Sequence, residues 1–145
     1  MADTTYLTNA VEEFVRARLA ETFGQKFESR RLPLLTGGTH QFDAVSEYFT
    51  VVAGIKASSG RTSGGKLPVG KIKSAIAELY YLSLVSAHRR ILVLTDPEFH
   101  EILTKRLHRA LAPGLELMLI ELPADIQAKV DLVQSQASRE VSPIK

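Results

Sequence analysis

The residues best suited to chemistry in this chain are an aspartate and a lysine in one short stretch. The stretch from Thr39 to Lys56 reads THQFDAVSEYFTVVAGIK and contains two apolar-rich runs, with Asp43 in the first run and Lys56 at the end of the second. A carboxylate held beside an ammonium group on a rigid sheet suits metal-assisted phosphodiester hydrolysis. The carboxylate binds the cation, and the lysine positions or activates water and balances developing charge.

The spacing of the two runs predicts how their side chains meet. A two-residue turn at Tyr48-Phe49 pairs Val45 with Val52, because strand residues alternate between the two faces of a sheet. Asp43 and Lys56 then lie on the same face of the ribbon, about one diagonal step apart. Two plainer interpretations remain open: Asp43 accepts hydrogen bonds from turn amides, and Lys56 is an ordinary edge-strand lysine.

Length and composition limit the class of protein. A chain of 145 residues, 45% of them hydrophobic, is expected to form a single domain over residues 1–145. The chain has no cysteine, which excludes disulfides and Cys-ligated metal sites. No apolar run approaches the ~20 residues that cross a bilayer, and the first residues lack the pattern of a signal peptide. We therefore expect a cytoplasmic protein with no membrane contact.

The periodicity of apolar residues predicts the elements that position the hairpin. Helices and strands alternate in the second half, which indicates an α/β fold with a mixed central sheet flanked by helices on both faces. The predicted elements are a helix from Thr4 or Thr5 to Phe23, a strand within Lys26–Leu35, the two hairpin strands, a helix from about Val69 to Ala87, a strand over Ile91–Leu94, a helix from Thr95 to near Pro113, a strand over Leu115–Leu122 and a helix from Pro123.

This order of elements, with an aspartate on the second strand and a lysine ending the third, resembles the restriction-endonuclease-like fold of the PD-(D/E)XK nuclease superfamily. The segment GTHQFDAVSEYFTVVAGIKASSG carries the most specific part of the resemblance. The resemblance implies an αβββαβ core over about Val11 to Leu94, with the remaining helix, strand and helix as additions. It also implies Mg²⁺- or Mn²⁺-dependent cleavage of nucleic acid, with DNA expected, and a homodimer if both strands of a duplex are cut.

The resemblance assigns roles residue by residue. Asp43 matches the metal-binding aspartate and Lys56 the catalytic lysine, while Glu12 falls where many members carry a glutamate on the first helix. The superfamily normally has Asp or Glu two residues before the lysine, and this chain has Gly54 there. Some members carry the missing acid on the following helix, where Glu78 is the candidate. The expected metal ligands are therefore Asp43, Glu78 and Glu12.

The departure at Gly54 leaves alternatives open. Burying an unpaired carboxylate is unfavourable, so Glu78 alternatively reaches solvent or pairs with Lys71, Lys73 or an arginine. If the glycine silences catalysis, the same fold is kept as an inactive nuclease-fold module for nucleic-acid binding or protein interaction. Metal-dependent nicking of DNA distinguishes the two functions.

A stretch without acidic residues follows the hairpin turn. No Asp or Glu occurs from Tyr48 to Ala77, and the basic residues in this stretch are Lys56, Arg61, Lys66, Lys71 and Lys73. The last four predict contacts with a nucleic-acid backbone, with a solvated basic loop as the alternative.

Two other patterns say less about function. The four histidines show no paired metal spacing, although His40 is close enough to Asp43 to line the site. The segment from Gly60 to Leu67 nearly spells a phosphate-binding loop. It lacks the Ser or Thr that follows the lysine, and Pro68 removes an amide donor, so nucleotide hydrolysis is not expected.

Overall fold

Helices and strands alternate along residues 5–60 and 65–141, the part of the chain that the computed structural model describes. The elements are α1 Thr5–Phe23, β1 Phe27–Pro33, β2 Thr39–Ser46, β3 Val51–Lys56, α2 Val69–Ser83, β4 Arg89–Leu94, α3 Pro97–Arg106, β5 Leu115–Leu119 and α4 Ala124–Val141. This confirms the predicted order of elements. Within these residues, no helix combines the length and hydropathy of a membrane span.

The five strands form one mixed sheet in the order β1-β2-β3-β4-β5. Strand β2 is antiparallel to both β1 and β3, and β4 and β5 run parallel to β3. Val45 lies opposite Val52 in the β2–β3 ladder, which is the register that the hairpin spacing predicted. The sheet is therefore the mixed α/β sheet expected from the alternation of elements.

Each face of the sheet carries its own hydrophobic core, because successive strand residues point to opposite sides. On β4, Ile91 and Val93 join the core beneath α1 and α4, whereas Leu92 and Leu94 join the core beneath α2 and α3. All four of these side chains are fully buried, as expected for a central strand covered on both sides. The prediction of helices on both faces is confirmed.

The helix α2 ends at Ser83, four residues earlier than the predicted Ala87. The guanidinium of Arg90 explains this early end, because its Nη1 donates to the carbonyls of Leu82 (3.3 Å) and Ser83 (3.1 Å). These last carbonyls would otherwise lack partners within the helix. An arginine on a neighbouring strand therefore caps α2, a contact that helix periodicity does not report.

The helix α3 is also shorter than predicted and ends at Arg106 rather than near Pro113. Beyond its last turn, Arg109 adopts a positive φ of 64°, which an α-helix cannot accommodate. The apolar residues Leu107 and Leu111 still pack against the core from this turn region. Their helical spacing therefore predicted burial correctly and helix length wrongly.

The N-terminus of α3 is held by the side chain of Asp96. Its Oδ2 accepts hydrogen bonds from the amide of Phe99 (2.8 Å) and from the amide of Gly60 (2.9 Å). The first contact is the predicted helix cap, and Pro97 occupies the first turn as expected. The second contact connects the first residues after β3 to the start of α3.

We expect Asp96→Ala to lower the free energy of unfolding by about 1–2 kcal/mol, because it removes the cap and leaves the Gly60 amide without its acceptor. Urea unfolding monitored by circular dichroism measures this change. The control is Asp125→Ala, which removes an exposed acid from the first turn of α4. It should change the unfolding free energy by less than about 0.5 kcal/mol. Equal losses in both variants would contradict the capping interpretation.

Candidate active site

Asp43 lies at a bulge in β2. Between two neighbouring pairs of the β1–β2 ladder, β2 advances by three residues and β1 by two, so Asp43 and Ala44 together oppose Ser29. Bulges interrupt the ladder and redirect side chains, which is why they recur beside active sites. Here Asp43 Oδ2 accepts a hydrogen bond of 2.8 Å from the amide of Ile55, the residue before Lys56. The carboxylate is thus held at the end of β3, and the amide it binds belongs to a strand rather than a turn.

Lys56 ends β3 and is directed toward α2. Its Nζ donates to the hydroxyl of Ser74, in the middle of α2, at 3.2 Å. Lys56 is half-buried and lies opposite Leu94 in the parallel ladder with β4. The ammonium group is therefore positioned by an interior strand and a hydroxyl, in contrast to the edge-strand alternative.

Glu78 fills the space above Gly54. A Cβ atom built on Gly54 would lie 2.7 Å from Cγ and 2.9 Å from Oε1 of Glu78, closer than real Cβ contacts. The side chain of Glu78, which is only 12% exposed, thus occupies the volume that a side chain at position 54 would need. The carboxylate of Glu78 on α2 thus lies over position 54, where the resemblance implies a carboxylate on β3.

The partner of Glu78 is a histidine rather than a lysine or an arginine. Nε2 of His40 lies 3.4 Å from Oε1 and 3.3 Å from Oε2 of Glu78. The imidazole ring stacks on Tyr81, with ring centroids 3.9 Å apart and planes 7° from parallel. Among residues 5–60 and 65–141, Glu78 therefore pairs with His40 on β2 instead of the suggested Lys71, Lys73 or an arginine.

The surroundings of Glu78 raise its pKa above the ordinary value of 4.5. Burial is the largest cause, since it disfavours the charged carboxylate. The charges of His40 and Lys56 oppose the rise, and the negative charge of Asp43 adds to it. These four side chains therefore share one electrostatic environment.

Glu12 reaches the same environment from α1. Its Oε1 accepts a hydrogen bond of 3.1 Å from Nη2 of Arg16, whose Nε donates to the backbone carbonyl of Asp43 at 2.8 Å. The pKa of Glu12 is raised mainly by burial and secondly by the negative charge of Asp43, while the positive charge of Arg16 lowers it. The charge of Asp43 therefore acts on Glu12, which lies on the α1 side of the sheet, and on Glu78, which lies on the α2 side.

The predicted phosphate-binding residues do not all lie with this group. Lys71 is three residues before Ser74 and seven before Glu78, which places it on the same face of α2 as both. Lys73 is two residues further on, about 160° around the helix from Lys71, and is exposed. Lys66 is exposed in the segment before α2, and Arg61 lies outside the described residues.

The carboxylates provide a donor set of the kind that Mg²⁺ uses. In residues 5–60 and 65–141, no three His, Asp or Glu side chains are close enough to form a complete protein cage. Magnesium is commonly bound by one or two carboxylates, with water and substrate phosphate completing the octahedron. Asp43 and Glu78 are the two carboxylates that could fill this role. Burial is the largest cause of the raised pKa of Glu78, and the negative charge of Asp43 adds to it.

Two contacts at the site were not predicted from the sequence. Arg16 follows Glu12 by four residues, and Ser74 precedes Glu78 by four, so each pair shares one helix face. That spacing was the available signal, but it does not reveal that Arg16 also binds the backbone of β2 or that Ser74 accepts from Lys56.

Comparison with family models, with curated proteins and with solved structures gives no match for this chain.

We expect Glu78→Gln to stabilise the protein at pH 8 relative to wild type. A raised pKa means that the folded state binds the proton more tightly than the unfolded state, so ionised Glu78 destabilises the fold above its raised pKa. This cost shrinks as the pH falls through the raised pKa toward 4.5, because the folded state is then protonated, and it is lost fully only below 4.5, where the unfolded state is protonated too. Urea unfolding at pH 8 and pH 4.5 should show a gain that shrinks at the lower pH.

The control for this measurement is Glu13→Gln, which removes one exposed carboxylate from the same helix as Glu12. It accounts for the general effect of losing one negative charge. A gain for Glu78→Gln that is the same at both pH values, or that matches the effect of Glu13→Gln, would contradict the burial of an ionisable Glu78.

Proposed function

We propose that this protein is a metal-dependent nucleic-acid phosphodiesterase of the endonuclease type, with DNA as the expected substrate. The observation that carries the proposal is the placement of the Glu78 carboxylate over Gly54, in one electrostatic environment with Asp43 and Lys56. Two acids and a lysine at the end of a buried strand match the chemistry that phosphodiester hydrolysis requires.

The fold supports a restriction-endonuclease-like core. From α1 to β4 the element order is αβββαβ, with three antiparallel strands and β4 parallel to β3. The strands that carry Asp43 and Lys56 are adjacent in the interior of the sheet, and α2 lies across them. The elements α3, β5 and α4 extend this core.

Asp43 and Glu78 would hold Mg²⁺ or Mn²⁺, with Glu12 available to orient a metal-bound water or to serve as a further ligand. The bound ion would supply Lewis-acid activation of the phosphate and a water of lowered pKa. The Ile55 amide fixes Asp43 Oδ2 and leaves Oδ1 to accept a ligand. Nε2 of His40 lies 3.4 Å from Oε1 and 3.3 Å from Oε2 of Glu78 and would help to orient that carboxylate, as hydrogen-bond partners of ligating carboxylates do at metal sites.

Lys56 would act on the phosphate and the attacking water. Its ammonium group has three donor positions, one of which is directed to Ser74. The others can donate to a phosphoryl oxygen and to water, which stabilises the negative charge that develops in the transition state. Lys71, on the same face of α2, can neutralise a neighbouring phosphate. We assign the exposed Lys66 and Lys73 to weaker backbone contacts, and the sequence assigns Arg61 to the same role.

The alternative function is nucleic-acid binding or protein interaction by an inactive nuclease fold. Gly54 and the lack, among the described residues, of a three-ligand metal group favour this alternative. Binding of DNA that weakens steeply with salt but is not followed by cleavage would support it.

We expect wild-type protein to nick plasmid DNA when Mg²⁺ or Mn²⁺ is present and to lose this activity with EDTA. Asp43→Asn and Lys56→Met should each lower the rate by about 100-fold or more, because each removes a group that stabilises the transition state. Asn at position 43 keeps an oxygen acceptor for the Ile55 amide and so preserves the local structure. Nicking that survives both substitutions would contradict the proposal, and Glu13→Gln serves as the matched control.

A second test moves the acid from α2 to β3. Glu78→Ala alone should lower the nicking rate by about 100-fold, whereas Gly54→Asp with Glu78→Ala should recover most of it, because a carboxylate again occupies the space above β3. Gly54→Asp alone should destabilise the fold by about 1–3 kcal/mol, since its Cβ meets Glu78 and two acids crowd one site. If the double variant is no more active than Glu78→Ala, Glu78 is a structural residue.

A further inference from the structure

A cleft of about 300 Å³ opens beside the candidate active site, between α1, the end of β3 and α4. One wall is formed by Leu7 and Val11 of α1, the opposite wall by Val130 and Val133 of α4, and Ile55 lies between them. We infer that this cleft binds a single unstacked nucleobase of the substrate, next to the phosphate that is hydrolysed. This inference rests on the proposed function, because it identifies which part of a nucleic acid enters the site.

The cleft is continuous with the catalytic groups. Glu12 and Lys56 both line it, so a ligand in the cleft lies beside two of the residues to which the proposed function assigns roles, although Asp43 and Glu78 are not part of the lining. Lys56 marks the end of the cleft nearest the site, whereas the aliphatic walls would desolvate a phosphate at high cost. The phosphate therefore belongs at the Lys56 end, and an uncharged group belongs between the walls.

The two walls are suited to the faces of a flat ring. Thr8, Val11 and Glu12 follow the i, i+3, i+4 spacing that places residues on one face of α1, and Val130, Val133 and Gln134 repeat that spacing on α4. Two helix faces thus oppose each other across the cleft. Nucleic-acid enzymes hold an unstacked base between apolar side chains in this manner and read its edge through hydrogen bonds.

Polar groups are available for the edge of such a ring. Gln134 Nε2 donates to the carbonyl of Ala57 at 2.8 Å, which anchors α4 to the end of β3 and leaves the amide oxygen as an acceptor. Thr8 and Ser58 add hydroxyl groups to the lining. A mainly apolar lining with a few polar groups is typical of small-ligand sites, and 300 Å³ is at the small end of their range. That volume fits a base with its sugar and excludes a base pair in a duplex.

The cleft therefore indicates that the substrate is a nucleic acid with an unpaired nucleotide at the cleavage position. Extracting a base from a duplex requires unstacking and unpairing, which a single strand avoids. We therefore expect a single-stranded oligonucleotide to be cleaved at least about tenfold faster than the same sequence in a fully paired duplex.

The direct test compares the affinities of 2′-deoxyadenosine 5′-monophosphate and 2-deoxyribose 5-phosphate, measured by calorimetry with wild-type protein. The nucleotide should bind at least about tenfold more tightly, because only it carries a base for the cleft. Val133→Trp fills the cleft and should abolish this difference, while Leu132→Trp, at the exposed neighbouring position on α4, should preserve it. Thr8→Trp fills the cleft from the opposite wall and replaces Val133→Trp if that variant does not fold.

Equal affinity for the two ligands in wild type, or an undiminished difference in a cleft-filling variant that folds, would overturn the inference. Hydrolysis of bis(p-nitrophenyl) phosphate, a diester without a nucleobase, distinguishes an effect on base binding in the cleft from an effect on catalysis. Val133→Trp should keep this hydrolysis within about twofold of wild type while losing cleavage of single-stranded oligonucleotide by about tenfold or more. Base-dependent binding without hydrolysis of any diester would instead contradict the proposed function but support the inference that the cleft binds a nucleobase.

Discussion

The candidate site depends on one steric exclusion: position 54 has no side chain, and Glu78 occupies the space. With a Cβ at that position 2.7 Å from Glu78 Cγ, the strand residue and the helix residue cannot both project there. The glycine lets α2 bring a carboxylate down to the end of β3. The missing side chain at position 54 of β3 thus determines where the Glu78 carboxylate lies. The other groups of the site are arranged around this carboxylate.

A dense set of hydrogen bonds holds the acids in place despite their mutual repulsion. The Ile55 amide binds Asp43, Arg16 connects Glu12 to the backbone of β2, and His40 contacts Glu78. Burial and mutual repulsion nevertheless raise the pKa of Glu78 and of Glu12. Carboxylates with pKa values shifted in this way are enriched at functional sites, and under the proposed function a divalent cation would offset the cost.

The sequence was sufficient for the order of elements and for the register of the hairpin, because apolar periodicity and turn spacing are local signals. The side chains of Val45 and Val52 meet as predicted. The bulge at Asp43 and the capping of α2 by Arg90 were not predictable, since both depend on a neighbouring strand. Glu78 was identified as a candidate because the resemblance allows the missing acid on the following helix. Its contact with His40 was not predicted, because His40 is distant in the chain and no pattern links the two.

We propose that Glu78 and Asp43 form one cation site above Gly54. Anomalous diffraction from crystals soaked in Mn²⁺ can test this proposal, because the metal peak shows which oxygens surround the ion. We expect a single strong peak within about 2.0–2.3 Å of one oxygen from each of these two carboxylates. A peak bound elsewhere, or the absence of a peak with Glu78 still against His40, would contradict it.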